Sequence, residues 1–315
     1  MKKLSVDVQE LTKKFGDFTA VDRVSFRIPQ GSIFGFLGAN GAGKSTTIRM
    51  LLGITPVTSG EGQVLGRDIR TQAQDIRSRV GYMAQKFSLY EDLTVAENLN
   101  FFAGLFGLQG QSKRKRIDHL TELTRLQGTE KEFAMDLPGG VRQRLALAVA
   151  LVHDPDIIFL DEPTGAVDPA LRRYFWELIV DLSVAGKTVM VTSHYMDEVE
   201  RCDNICFIHT GRLIAQGSPS ELKSSSLSGQ AMEVLSKRRP QMIDWLAHQE
   251  GVNNPTPAGT SVRFLFDGSP AQLEHLTQKF SEMAGPGEEL KPTRPTLEDV
   301  FISLVADQRA AAPSC

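Results

Sequence analysis

Short apolar runs recur through the first two thirds of the chain: Val24–Ile28, Ser32–Leu37, Ile157–Leu160, Thr188–Thr192 and Ile205–Ile208. Their near-continuous Val, Ile and Phe content, in place of strict polar alternation, predicts strands buried on both faces. Helical patterns such as Ala170–Val184 separate the later runs, so a largely parallel sheet with crossover helices is the best fit. From Thr94 to Val152 the periodicity is helical, with no convincing strand, and this stretch reads as an inserted helical subdomain. Serine and glycine dominate around Gly217-Ser218-Pro219 and over Lys223–Gly229, which is a linker composition. Beyond it, Met232–Leu235, Ser261–Phe266 and Leu290–Lys291 are predicted as strands, and Gln241–His248, Pro270–Met283 and Thr296–Val305 as helices. Together they predict a small α+β domain. No internal repeat is visible.

Composition narrows the class. A length of 315 residues, with 41% hydrophobic and 23% charged, suits about two globular domains of roughly 100–200 residues each. A net charge of -3 gives no reason to expect nucleic acid as a partner. Cys202, Cys206 and Cys315 lack metal-ligand spacing and are odd in number, so free thiols in a reducing compartment are expected. Met1-Lys2-Lys3-Leu4 opens like a signal segment, but Asp7 and Glu10 interrupt any apolar run. The longest uncharged stretch, Ile28 to Gly43, is too short and glycine-rich to span ~30 Å of hydrocarbon as a helix. The chain is therefore not expected to cross a membrane.

Candidate chemistry begins directly after the Ser32–Leu37 run. Gly38-Ala39-Asn40-Gly41-Ala42-Gly43-Lys44-Ser45 satisfies Gly-x4-Gly-Lys-[Ser/Thr] and leads into a helix-compatible Thr46–Leu52. Such glycines let main-chain N–H groups wrap a polyphosphate, while Lys44 neutralises β/γ oxygens and Ser45 is a ligand for Mg²⁺. Far downstream, Ile157–Leu160 ends in Asp161-Glu162. At a strand's C-terminal edge Asp161 is placed to hold Mg²⁺ through water, and Glu162 to orient and deprotonate an attacking water.

With these motifs in hand, the first 224 residues resemble the ATP-binding cassette ATPases of ABC transporters. Gln85, in Tyr82-Met83-Ala84-Gln85, resembles the glutamine that reaches Mg²⁺ and the membrane partner. Leu137-Pro138-Gly139-Gly140-Val141-Arg142-Gln143-Arg144-Leu145 is similar to the signature segment, and Gly165-Ala166-Val167-Asp168 to the D-loop. His194, in Thr192-Ser193-His194, resembles the switch histidine that contacts the γ-phosphate. The resemblance implies a P-loop NTPase core of ABC type with an antiparallel β subdomain and a helical subdomain at about 94–155. An accessory α+β domain over 225–315 then follows, with a disordered tail from about 307. It also implies ATP and Mg²⁺ as ligands. Catalytic roles fall on Glu162, His194, Gln85 and Asp168, metal contacts on Ser45, Gln85 and Asp161. Nucleotide contacts fall on Phe15, Val21, Gly38, Asn40, Gly41, Ala42, Gly43, Lys44, Ser45, Thr46, Gly139 and Gly140. Phe15, with Val21 beyond it, has two readings, adenine stacking or plain core packing. His119, His153, His209, His248 and His275 read as surface or packing residues, and Lys113-Arg114-Lys115-Arg116 as a solvated helix face or a lipid contact.

Thr94–Leu99, Gly211–Gly217 and the tail Pro295–Phe301 further resemble the ATPases of ABC-2 type exporters, including drug-resistance ones. The resemblance implies a motor subunit at the cytoplasmic face of the inner or plasma membrane, moving drug-like or amphipathic cargo. Its partners are then ABC-2 permease subunits, a second cassette, identical or related, and a periplasmic adaptor. Two alternatives stay open: a regulatory subunit with a degenerate signature, motivated by Pro138, and a soluble ABC ATPase outside transport. A GTPase is disfavoured because no Asn-Lys-x-Asp segment occurs.

Overall fold

The computed structural model describes residues 3–85, 89–165, 167–225, 227 and 229–311. The chain divides into two compact units, Met1–Gln216 and Gly217–Cys315.

The first unit opens with β1 (Leu4–Phe15), β2 (Phe18–Pro29), β3 (Ile33–Leu37) and α1 (Lys44–Leu51). Next come β4 (Ser59–Val64), β5 (Arg67–Asp68), α2 (Ala73–Arg77) and β6 (Val80–Met83). Three helices follow, α3 (Val95–Leu105), α4 (Gly110–Leu123) and α5 (Gly139–Leu151). The unit ends with β7 (Ile157–Asp161), α6 (Pro169–Val184), β8 (Thr188–Ser193), β9 (Asn204–His209) and β10 (Arg212–Gly217). Among the described residues these strands make a four-stranded sheet, β2-β1-β4-β5, and a six-stranded sheet, β10-β9-β3-β8-β7-β6. In the larger sheet β9, β3, β8, β7 and β6 run parallel, and β3 and β7 are buried along their whole length. The smaller sheet is antiparallel, and its Val6 and Phe26 share one core with Phe34 and Phe36 of β3 and Ile48 of α1.

Val24–Ile28, expected in the parallel sheet, belongs instead to the antiparallel one. Val24, Phe26 and Ile28 are buried while Ser25 and Arg27 are exposed, so the run alternates as a strand with one solvated face does. The stretch from Thr94 is helical as expected, with a single isolated bridge, Thr94 to Phe133, among the described residues. Arg116 departs from its expected place on a solvated face. Its Nε donates to Val152 O at 3.1 Å and its guanidinium to Leu151 O, satisfying carbonyls at the end of α5.

The second unit contains α7 (Pro219–Ser225), β11 (Gln230–Leu235), α8 (Arg239–Ala247) and β12 (Val252–Ala258). β13 (Ser261–Phe266), α9 (Pro270–Met283), β14 (Glu289–Pro292) and α10 (Leu297–Ala311) complete it. Its antiparallel sheet has the order β12-β13-β11-β14, the split β-α-β arrangement of ferredoxin-like folds. The boundary expected at 224/225 moves to Gly217. Ser218 and Glu221 cap α7 reciprocally, and α7 packs against α10, so half of the presumed linker is folded. The tail expected to be disordered from about 307 is helical to Ala311, as its Ala306, Ala310 and Ala311 favour. Residues 312–315, Cys315 included, lie outside the described residues, whereas Cys202 and Cys206 are buried free thiols. Among the described residues no helix is long and apolar enough to cross a membrane.

Candidate functional site

β3 delivers the chain to Gly38, and the turn from there to Gly43 starts α1 at Lys44. The glycines are sterically required. A Cβ on Gly38 would stand 2.3 Å from Ile208 O, and Gly43 holds φ 106° with Ala20 O where its Cβ would go. Gly43 has no side chain, so α1 begins without a side-chain cap and its first N–H groups remain for an anion. Lys44, only 4% exposed, folds back over its own loop, with Nζ donating to Gly38 O at 2.8 Å and Ala39 O at 3.2 Å. The loop is anchored from outside by the two-residue turn between β9 and β10. There Gly211 N–H donates to Ala42 O at 3.1 Å, and Gly211 O accepts from Asp22 N–H at 2.8 Å.

Beside the loop lies a cavity of about 360 Å³, bounded by Asn40, Gly41, Gly43, Lys44, Ser45 and Thr46, by Gln85 and Glu162, and by Phe15, Phe18 and Ala20. Glu162 ties three predicted residues together. Its Oε1 is 3.1 Å from Lys44 Nζ; its Oε2 accepts from Gln85 Nε2 at 3.1 Å and lies 3.4 Å from His194 Nδ1. The His194 ring stacks on Tyr195 with centroids 4.1 Å apart. Asp161, just ahead of Glu162, is buried, and its Oδ1 accepts from Thr192 Oγ1 at 2.7 Å.

Phe15 is exposed at the cavity mouth, cross-strand from Phe18, with Lys13 Nζ 4.7 Å from its ring centre. Its surface is thus open to a planar base. Val21 is not part of the site: it is fully buried in the core below the loop, and Phe18 and Ala20 take the place expected for it. The alternation of Val24, Phe26 and Ile28 breaks at Asp22 and Arg23, where the β1–β2 register shifts and Arg23 holds φ 48°, and this break turns Val21 inward. Gly38 and Ala42 shape the loop without lining the cavity. Asp168 is used as a helix cap, its Oδ1 accepting from Ala170 N–H and Leu171 N–H, and it does not line this cavity. Gly139 and Gly140 also stand outside it, at the start of α5. Pro138 is the residue before that helix and caps it through its carbonyl alone, which accepts from Val141 and Arg142 N–H.

Several contributors were invisible in the sequence because strand register and loop packing create them. Thr192 contacts the Asp161 carboxylate and the Glu162 main-chain N–H through one hydroxyl. Glu198, buried, accepts from Thr164 Oγ1 at 2.6 Å and Ser193 Oγ at 2.8 Å, and pairs with Arg172 at 3.1 Å. It thereby links the loop after Glu162 to the one carrying His194. Arg172 in turn stacks over Tyr195.

The donors fit the expected ligands. Ser45 and Gln85 on the cavity wall, and Asp161, buried directly ahead of Glu162 and not itself lining the cavity, offer hydroxyl, amide and carboxylate oxygens, the hard donors that Mg²⁺ prefers, with a glycine cradle and a buried lysine suited to phosphates.

The chain resembles known proteins in both sequence and fold. The sequence profile of the ABC transporter family matches residues 21–165. The chain is 51% identical over 221 residues to the probable multidrug ABC transporter ATP-binding protein YbhF of Escherichia coli, covering 70% of this chain but 38% of that protein. So the chain spans well under half of that relative's length. It is 39% identical over 301 residues to the Nod factor export ATP-binding protein I of Ralstonia nicotianae, covering 95% of this chain and 93% of the relative. Among solved structures, cbiO1 of Clostridium perfringens, part of an ABC transporter complex, superposes with a TM-score of 0.65 at 28% identity over 71% of this chain and 92% of that one. The dimeric cassette MJ0796, bound to ADP and Pi, gives 0.64 at 26% identity over 68% and 98%. Glycine loop, acid pair and near end-to-end similarity to an export ATP-binding protein coincide in one molecule, and the chain belongs to the ABC transporter family, as one of its ATP-binding cassette ATPases.

Proposed function

We propose that the chain hydrolyses Mg²⁺-ATP to drive export through a separate ABC-2 type permease, working peripherally at the cytoplasmic face of the membrane. The observation that carries this reading is the pairing of Lys44 with Glu162 across the cavity at 3.1 Å. An arriving γ-phosphate competes for the lysine, and Glu162, relieved of its counter-ion but still held by Gln85, is then placed to accept a proton from water. His194 Nδ1, 3.4 Å from the Glu162 oxygen that Gln85 also holds, would contact the γ-phosphate in this reading. Mg²⁺, held by Ser45, Asp161 and Gln85, would supply positive charge to the β/γ oxygens. Phe15 and Phe18 would hold the adenine by its face.

Two cassettes are needed in this reading. Gly139 and Gly140 open α5 away from their own cavity, which suits contact with ATP bound to a second copy or a related cassette. Export of drug-like or amphipathic cargo is supported by the multidrug and Nod factor export names of the relatives, and a periplasmic adaptor completes the reading. The regulatory alternative retains one specific support, the missing hydroxyl and N–H at Pro138.

Glu162→Gln tests the core of the proposal. The amide keeps the shape but neither accepts a proton nor pairs with Lys44, so turnover should fall by about 10²–10⁴ while ATP affinity stays within a few fold. Steady-state hydrolysis and equilibrium nucleotide binding read the two separately. Hydrolysis near the wild-type rate removes Glu162 from the chemistry.

A further inference from the structure

Thr192 is a polar residue in an apolar, wholly buried strand, after Val189, Met190 and Val191, and it is itself fully buried. The parallel register of β7 and β8 sets it opposite Asp161. Its Oγ1 accepts the Glu162 main-chain N–H at 2.9 Å and donates to Asp161 Oδ1 at 2.7 Å. The directions are unambiguous. An amide N–H only donates, so the single hydroxyl proton goes to the carboxylate.

Both acids that the hydrolytic reading uses are therefore set by one oxygen atom. The bond to Asp161 is short and charge-assisted, and it fixes one carboxylate oxygen and with it the plane of the other. The bond from Glu162 restrains a main chain at φ 52°, in the left-handed region where a glutamate persists only if its surroundings hold it. The next residue, Ser193, serves a different partner, Glu198, as expected for neighbours on opposite faces of a strand.

We propose that Thr192 is a positioning residue for hydrolysis. Its hydroxyl orients Asp161 for Mg²⁺ and holds the bend that keeps the Glu162 carboxylate against Lys44. This role rests on the proposed hydrolysis of Mg²⁺-ATP.

The test uses the full chain with Thr192→Val, which keeps the branched shape a buried strand favours and removes only the hydroxyl, and Thr192→Ser, which keeps the hydroxyl. Loss of a hydrogen bond to a charged group predicts that Thr192→Val lowers kcat about ten- to hundredfold. The Mg²⁺ concentration that half-maximally enhances equilibrium nucleotide binding should rise several fold, and KM for ATP should move less than about threefold, because Lys44 and the loop are untouched. Thr192→Ser should recover kcat to within about threefold of wild type. If the valine variant melts too low to assay, Thr192→Ala and Thr192→Ser, which differ by the hydroxyl alone, carry the same comparison. A valine variant with wild-type kcat and Mg²⁺ requirement, or a serine variant as slow as valine, overturns the role. A wild-type chain without Mg²⁺-dependent turnover overturns the hydrolytic reading itself, and this role with it.

Discussion

In the first unit Glu162 has Lys44 at 3.1 Å, Gln85 at 3.1 Å and His194 at 3.4 Å, on the wall of a cavity. In the second, Asp299 has the Thr296 N–H and hydroxyl at 2.8 Å and Arg263 Nη2 at 2.7 Å, and it is buried. Arg263 spends its remaining donors on Arg294 O at 2.8 Å and Thr293 Oγ1 at 3.3 Å. One carboxylate has a partner, Lys44, that an incoming phosphate can take over; the other is saturated by partners from its own unit. Helix starts differ in the same way. α9 and α10 begin with reciprocal side-chain caps, Ser269 with Gln272 and Thr296 with Asp299, whereas α1 and α5 begin at Gly43 and Pro138 with none. The lesson is that an acid beside a base becomes a working group where the pair borders a cavity a ligand can enter, and a fastening where the chain's own groups enclose it.

Removing the base from the saturated pair should have the largest effect on folding. Arg263→Ala leaves Asp299 largely buried without its cation, at a cost of about 3 kcal/mol or more, equivalent to a drop of at least ~10 °C in the melting of the second unit. Nucleotide affinity of the first unit should not move. Scanning calorimetry with ATP titration would show it, and a parallel loss of affinity would erase the contrast drawn between the units. Smaller, and confined to function, is Pro138→Ser. The added hydroxyl at the open start of α5 should raise ATPase turnover or ATP-induced association about tenfold, from a hydrogen bond to a charged group. Unchanged or lower values in both assays would mean that the proline is an adapted part of the site.

The smallest effect is a difference in pH dependence. Burial holds the His153 imidazole down to about 4, from an ordinary 6.5, while Arg238 and the Gly285 N–H hold Glu288 down to about 2, from 4.5. An unfolded first unit takes up a proton at His153 that the folded one resists, so His153 reduces stability as pH falls from about 6.5 to 4. Glu288 stabilises above about 4.5, and that contribution disappears as pH falls from there towards 2. The first unit should therefore start to weaken at higher pH than the second, and Glu288→Gln should flatten only the lower step. Melting temperatures of wild type and Glu288→Gln between pH 7 and pH 3 decide it; identical slopes below pH 4.5 would dismiss the Arg238–Glu288 pair as a contributor.

Legibility of the sequence followed the range of the interaction. The glycine loop, the acid pair and the elements Ser261–Phe266 and Pro270–Met283 were readable because their signals are local. β12 was not, since Pro255 and Pro257 speak against a strand; the proline ladder gaps are tolerated because β12 is the sheet's edge. In Val24–Ile28 five residues are too few to tell alternation from continuous burial, and the run belongs to the antiparallel sheet. Thr192, Glu198 and Phe18 acquire their roles from partners brought near by register and loop packing, and no local pattern announces that.

Gly211 sits almost at the end of the first unit, yet it fastens both Ala42 of the glycine loop and Asp22 of β2. A Cβ there would come within 2.9 Å of Ala20 O. Likewise, among the described residues β3 pairs with β8 and β9 alone, which are made far later. During synthesis the glycine loop leaves the ribosome early but has no frame until the chain has grown past this hairpin. The nucleotide pocket is thus among the last parts of the first unit to take shape, and a growing chain carries it unfinished through most of its own translation.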